Sequence, residues 1–203
     1  MDAATGTRVG TLRQSSGVTA AAFSPNGATI VSSSLDGTIK LWDVETGEQA
    51  ATLVGHTERV NTTSFSPDGA MLASAGGNGN PTVRLWDVAS QAEVAAFRDH
   101  ESEVRSVSFS APDGAILASA SSRLVKLWDV AAREELATLD GHTGQVTSVA
   151  FLPGSAVLAA GSSDRSVRIW EVASGKEIAT LEEHTNWITS VSATLCSSRE
   201  GLD

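Results

Sequence analysis

Cysteine is almost absent: Cys196 is the only one in 203 residues. An internal disulfide is therefore excluded, and a lone thiol outside any Cys/His pattern reads as a spectator. A basic block is missing too. Lys and Arg total 14 against 24 Asp and Glu, for a formal net charge of −10. Phosphate contacts need clustered cations, so this balance argues against nucleic acid as a partner and against anionic membrane surfaces. No apolar run reaches the length of a membrane helix, and the N-terminus lacks the charged-then-apolar layout of a signal peptide. These absences point to a soluble, cytoplasmic chain. The Gly-rich stretch "GGNGNP" (76–81) has no phosphate-loop Lys, which argues against nucleotide binding. The four His are spread singly over loops rather than set at metal-ligand spacing, so neither a metal nor another cofactor is expected.

What the chain has instead is repetition. Trp42, Trp86, Trp128 and Trp170 are separated by 44, 42 and 42 residues. Each is followed by an acidic residue and a common tail: "WDVETGEQAATL", "WDVASQAEVAAF", "WDVAAREELATL" and "WEVASGKEIATL". Self-similarity at this period marks a repeat architecture.

One unit reads as four short strands. The first is "VTAAAF" (18–23) or its counterparts "VNTTSF", "VRSVSF" and "VTSVAF", small and apolar on both faces as a buried strand should be. The turns "SPNG" (24–27), "SPDG" (66–69) and "APDG" (111–114) follow, with Pro presetting φ ahead of Asn or Asp and Gly. The second strand is of the type "AMLASAG", the third of the type "TVRLWDV", and a short turn leads to the fourth. Strands joined by such short loops must pair antiparallel, so each unit is a four-stranded meander. No stretch shows a convincing helical period.

A unit of about 40 residues cannot bury both faces alone, and stacking neighbours solves that. The pattern GH-x-V…F-S-P-D-G…L-A-S…V-R-L-W-D resembles the WD-repeat β-propeller family, over residues 1 to about 192. The resemblance implies an all-β fold of WD-repeat blades at 18–53, 60–97, 104–139 and 146–181, in one segment spanning 1–203. It also implies partial strands at 7–12 and 188–192, and an incomplete or open propeller. On this reading Met1 stands where the other units carry Trp, and the chain is entered inside the array. Exposed terminal blades would then favour self-association.

In the family, a His before the first strand, a Ser ending the second, an Asp in the next turn and the Trp of the third form a structural hydrogen-bond network. Such groups become buried and must be satisfied. Carried over, the network is His142, Ser162, Asp164 and Trp170 in the fourth unit, the only one matching every position. The first unit has Ser34, Asp36 and Trp42 but no His. The second has His56 and Trp86, with Gly76 in the Ser position and no Asp in its turn, which predicts a mobile 76–81 loop. The third has His100, Ser121 and Trp128, with Arg123 near the Asp position. The count ranks the fourth blade as best ordered. No oxyanion motif accompanies the Ser, His and Asp residues, so a hydrolase is not indicated.

Two further sets stand out. Lys40, Arg84, Lys126 and Arg168 precede each Trp by two and read as solvated strand ends with packed stems. Arg59, Glu103, Gln145 and Trp187 align just before the first strands, where the resemblance places partner-docking loops. Trp187 is either a binding anchor or a core Trp left without its strands. The function implied is a non-catalytic scaffold that binds a protein or peptide, possessed alone or as a fragment of a larger propeller protein. Alternatives are a regulatory propeller beside a kinase or NTPase domain and, less well supported, an enzyme using the loop face.

Overall fold

In the computed structural model, residues 10–193 are described. Among them are sixteen β-strands and no helix, arranged as four four-stranded sheets in which the strands lie in chain order. The first sheet is β1 (Val18–Phe23), β2 (Thr29–Ser34), β3 (Ile39–Asp43) and β4 (Gln49–Leu53). The second is β5 (Val60–Phe65), β6 (Met71–Gly76), β7 (Thr82–Asp87) and β8 (Ala92–Phe97). The third is β9 (Val104–Phe109), β10 (Ile116–Ser121), β11 (Leu124–Asp129) and β12 (Glu134–Leu139). The fourth is β13 (Val146–Phe151), β14 (Val157–Ser162), β15 (Val167–Glu171) and β16 (Lys176–Leu181). The chain divides into two compact units, Met1–Val107 and Ser108–Asp203.

Short turns with local side-chain support produce the meanders. After β1, the Gly27 amide donates to the Ser24 carbonyl at 2.8 Å, and Ser24 Oγ takes the Thr29 amide at 2.9 Å. Asn26 Oδ1 takes the Ala28 amide at 3.0 Å, an Asx-type turn closed by a glycine at φ 72°. Ser66, Asp68 and Gly69 repeat the arrangement after β5. The acidic residue after each Trp has a similar task. Asp43 Oδ1 accepts the amide and hydroxyl of Thr46 at 2.7 and 2.8 Å, and Asp87 holds Ser90 likewise at 2.7 Å for both bonds. These bonds hold both carboxyls below the usual carboxylate range.

Two irregularities recur. The third and fourth strands shift register at every Trp. The first and second strands shift at Val18/Ala20, Val60/Thr62 and Val146/Ser148. A bulge leaves its extra residue out of the ladder, and here that residue reaches the following segment. Thr19 Oγ1 donates to the Val60 carbonyl, Asn61 Nδ2 donates to the Val104 carbonyl at 2.9 Å, and Thr147 Oγ1 donates to the Ile188 carbonyl.

Each unit has its own core. In the first, Val31, Ile39, Leu41 and Leu53 of the first sheet pack on Val60, Leu72 and Trp86 of the second. In the second, Val125, Leu127 and Leu139 pack with Val146, Phe151, Leu158 and Trp170. Full burial of each such side chain contributes about 1.5–3 kcal/mol. No helix among the described residues is long and apolar enough to cross a membrane.

The structure corrects the expected terminal strands. Residues 7–9 and Cys196 lie outside the described residues, and 10–12 form no strand. Residues 188–192 also form no strand. Their bonds go to a single carbonyl and to side chains rather than to a continuous ladder. The Ile188 amide donates to the Ser162 carbonyl at 3.0 Å, and the Val191 amide donates to Ser148 Oγ at 3.1 Å.

Candidate functional site

The third strand buries each Trp, whose indole N–H then needs an acceptor. Three acceptors are serines in the middle of the second strand. Trp42 Nε1 donates to Ser32 Oγ at 2.8 Å, Trp86 to Ser74 at 2.8 Å and Trp128 to Ser119 at 2.7 Å. This corrects the expected network, which assigned Ser34, Ser121 and Ser162, two residues further on. Strand alternation explains the shift, because residues two apart share a face but sit at different heights along it. Ser34 Oγ instead donates to the Gly17 carbonyl at 3.2 Å, and Ser162 Oγ takes the Asp164 amide at 3.1 Å. Ser121 is buried at the end of β10. Gly76 ends β6, where an added Cβ would lie 2.1 Å from the Arg59 carbonyl oxygen. The close approach of that loop requires the glycine.

The second element of the network differs sheet by sheet. In the second sheet His56 Nε2 lies 2.8 Å from the same Ser74 Oγ that holds Trp86. Burial, and then the positive charge of Arg84, push the His56 pKa down to about 4. In the first sheet, where His is missing, Gln14 stands in. Its Oε1 accepts from Ser32 Oγ at 2.7 Å and its Nε2 donates to Thr38 Oγ1 at 3.0 Å. Thr38 and Ser15 both donate to Asp36, and the Thr38 bonds lead in lowering its pKa to about 2. The second sheet lacks the turn Asp, and Glu58 replaces it from the opposite loop. Glu58 Oε2 accepts the amides of Asn78 and Gly79 at 2.6 and 2.9 Å, tying down the 76–81 loop. In the third sheet His100 is buried and Arg123 is exposed.

The fourth sheet brings His142, Asp164, Ser166 and Trp170 together. His142 Nδ1 donates to Asp164 Oδ2 at 2.9 Å, and the ring meets Trp170 edge to face with centroids 5.6 Å apart. Burial pushes the Asp164 carboxyl up. Bonds from Ser166, His142 and the Thr143 amide outweigh this and hold it well below the usual range. The residue in the acceptor position is Ala160, paired across β13–β14 with Val149 as Ser74 is with Thr63. His142 Nε2 is consequently buried without a hydrogen-bond partner. The sheet that matches the family pattern best is the one without the bridging hydroxyl.

The cations two before each Trp are less solvated than expected. Arg84, Lys126 and Arg168 pair with Glu93, Glu135 and Glu177 on the neighbouring fourth strand, and Arg84 is buried. The first sheet has Gln49 in the Glu position. There Lys40 Nζ lies 5.5 Å from the Trp42 ring centroid, within cation–π range.

Of the loop residues, Arg59 and Glu103 meet in the first unit. Arg59 Nη2 donates to Glu103 Oε2 at 3.1 Å, its Nε donates to Asn61 Oδ1 at 2.7 Å, and Arg105 also pairs with the buried Glu103. In the second unit, the Gln145 amide donates to Ser163 Oγ at 2.8 Å and its carbonyl takes the Ser163 amide at 2.8 Å. Trp187 is 67 % exposed. It borders a cavity of about 530 Å³ lined also by Val167, Ile169, Leu181 and Ile188. No cluster of three His, Cys, Asp or Glu suited to a metal occurs among the described residues.

A family model described as WD domain, G-beta repeat, matches residues 6–43, 47–87, 91–129 and 133–171. Each match closes on the Trp-acid pair, so a sequence repeat is offset by one strand from a sheet. Among curated proteins, MST50-interacting protein 11 of Pyricularia oryzae is 41% identical over 59 residues, which is 28% of this chain and 19% of that protein. Pre-mRNA-processing factor 19 of Oryza sativa is 36% identical over 69 residues, 34% of this chain and 13% of that protein. An uncharacterized WD repeat-containing protein of Deinococcus radiodurans is 38% identical over 73 residues, 36% of this chain and 28% of that protein. The aligned stretches span less than a third of each relative.

Proposed function

The chain belongs to the WD-repeat family, and from that premise we propose that it is a non-catalytic scaffold that binds a protein or peptide through the loops preceding the first strands. The exposure of Trp187, at the equivalent position after β16 where no first strand follows, carries this reading. A large aromatic side chain left in solvent beside a groove of mixed polar and apolar lining has the form of a binding anchor. In the first unit, taken by itself, Arg59 presents a half-exposed guanidinium whose orientation is set by Asn61 and the buried Glu103. Gln145 completes the set of loop positions in the second unit.

The arrangement of His142 supports a structural rather than a nucleophilic role. A hydrolytic serine must sit on the ring nitrogen opposite the one that the acid holds. Here Asp164 and Ser166 are both on the Nδ1 side, and Nε2 faces no hydroxyl.

Selection of peptides from a random display library on the immobilised protein tests the proposal. Selected peptides are expected to lose about tenfold or more in affinity on Trp187→Ala. Equal affinity for the wild type and for both Trp187→Ala and Arg59→Ala would remove the loop face from the account.

A further inference from the structure

The turn after the first strand is longer in the third sheet than in the other three. Five residues lie between Phe23 and Thr29, between Phe65 and Met71 and between Phe151 and Val157, but six lie between Phe109 and Ile116 in the third sheet. Its closing bond is accordingly longer in sequence. The Gly114 amide reaches the Ser110 carbonyl, whereas the Gly69 amide reaches Ser66.

The extra residue has a consequence in space. In the first unit, neighbouring turns approach closely: a Cβ added to Gly69 would lie 3.4 Å from Pro25 Cδ. In the second unit the corresponding residues, Ser155 and Pro112, border an open cavity of about 310 Å³. Its floor is Ile116, Phe151 and Val172. Phe151 and Val172 belong to the buried core, and Ile116 packs against that core. The cavity is thus a gap in the covering of an apolar core, of a size to take one large side chain.

Its rim has a sign. Asp113 is the only charged residue lining it, and its Oδ1 is held by the Ala115 amide at 3.0 Å on an exposed turn. The chain as a whole carries a net charge of −10. An occupant that brings an apolar group together with a positive charge is complementary to both floor and rim.

We propose that this cavity is a second peptide-binding site, which takes a phenylalanine- or leucine-sized side chain adjacent to a lysine or arginine. It lies at the strand end opposite Gln145, because Gln145 precedes β13 and the cavity follows it. The inference therefore goes beyond the loop-face reading and does not depend on it.

Titration of isotope-labelled protein with acetyl-Phe-Lys-amide and acetyl-Phe-Glu-amide, followed by amide chemical shifts, tests it. The lysine peptide is expected to shift Ala115, Ile116, Ala156 and Val172, with a millimolar dissociation constant in keeping with its size. The glutamate peptide is expected to bind about two- to fivefold more weakly, a difference that Asp113→Asn removes. Deleting Ala111 restores the turn length of the other sheets and should abolish the shifts. Should that variant not fold, Ala156→Phe fills the same space and should abolish them too. The proposal is overturned if the peptides bind equally, if binding survives closure of the cavity, or if shifts appear only around Gln145 and Trp187. That last result would leave the loop-face reading intact.

Discussion

His56 Nε2 and Ser74 Oγ lie 2.8 Å apart, and that oxygen also accepts the indole of Trp86. One hydroxyl thus satisfies the part-buried ring of His56 and the buried ring of Trp86, joining the loop before the sheet to its second and third strands. The first sheet reaches the same end with Gln14, and the fourth has an alanine in the place of the serine.

Ser74→Ala leaves both His56 and Trp86 without this partner. A buried group deprived of its hydrogen bond costs about 1–3 kcal/mol. The expected loss of stability is about 2–4 kcal/mol in urea denaturation, with the slope unchanged.

Ala160→Ser is the reciprocal change. It supplies an oxygen where His142 Nε2 has none, and an added buried bond is worth about 1 kcal/mol. A rise in the denaturation midpoint is expected, together with slower amide exchange in β14 and β15. An unchanged midpoint would mean that the serine does not reach the ring.

The His56 pKa is about 4 in the folded chain and 6.5 without these surroundings. Above pH 6.5 the ring is neutral in both states and contributes nothing. As pH falls from 6.5 towards 4 the unfolded chain takes up the proton first, so stability drops, by at most about 3 kcal/mol. His56→Gln should flatten the denaturation midpoint over that interval.

Glu93→Ala strips the partner from Arg84, the most buried of the strand cations, whereas Glu177→Ala strips it from the more exposed Arg168. An uncompensated buried charge costs about 3 kcal/mol or more. The first substitution is therefore expected to cost more than the second, as measured by thermal unfolding.

Much of the fold was legible because its signals are local. Pro-Asp-Gly turns, alternation and the Trp period each specify a few neighbouring residues, and β5 and β13 begin and end where those signals change. The hydrogen-bond network was harder to read. Ser32 and Ser34 are equally serine and share a face, and only the depth of the Trp42 ring decides between them. Gln14 and Glu58 were missed because each substitutes for a residue type from a different position along the chain. The one-residue difference at Ala111 was visible, but its effect depends on a contact with the next turn, as Gly69 and Pro25 show. Residues 188–192 carry a first-strand pattern, yet they form no ladder.

The central claim is that the His, Ser and Asp side chains of the hydrogen-bond network hold the fold while the exposed loops bind a partner. The dissociation constant of one library-selected peptide for Trp187→Ala and for His142→Gln, each checked to be folded, separates the two roles most directly. About tenfold or greater weakening is expected for Trp187→Ala, with an unchanged constant for His142→Gln. Binding lost with His142 and retained without Trp187 would contradict it.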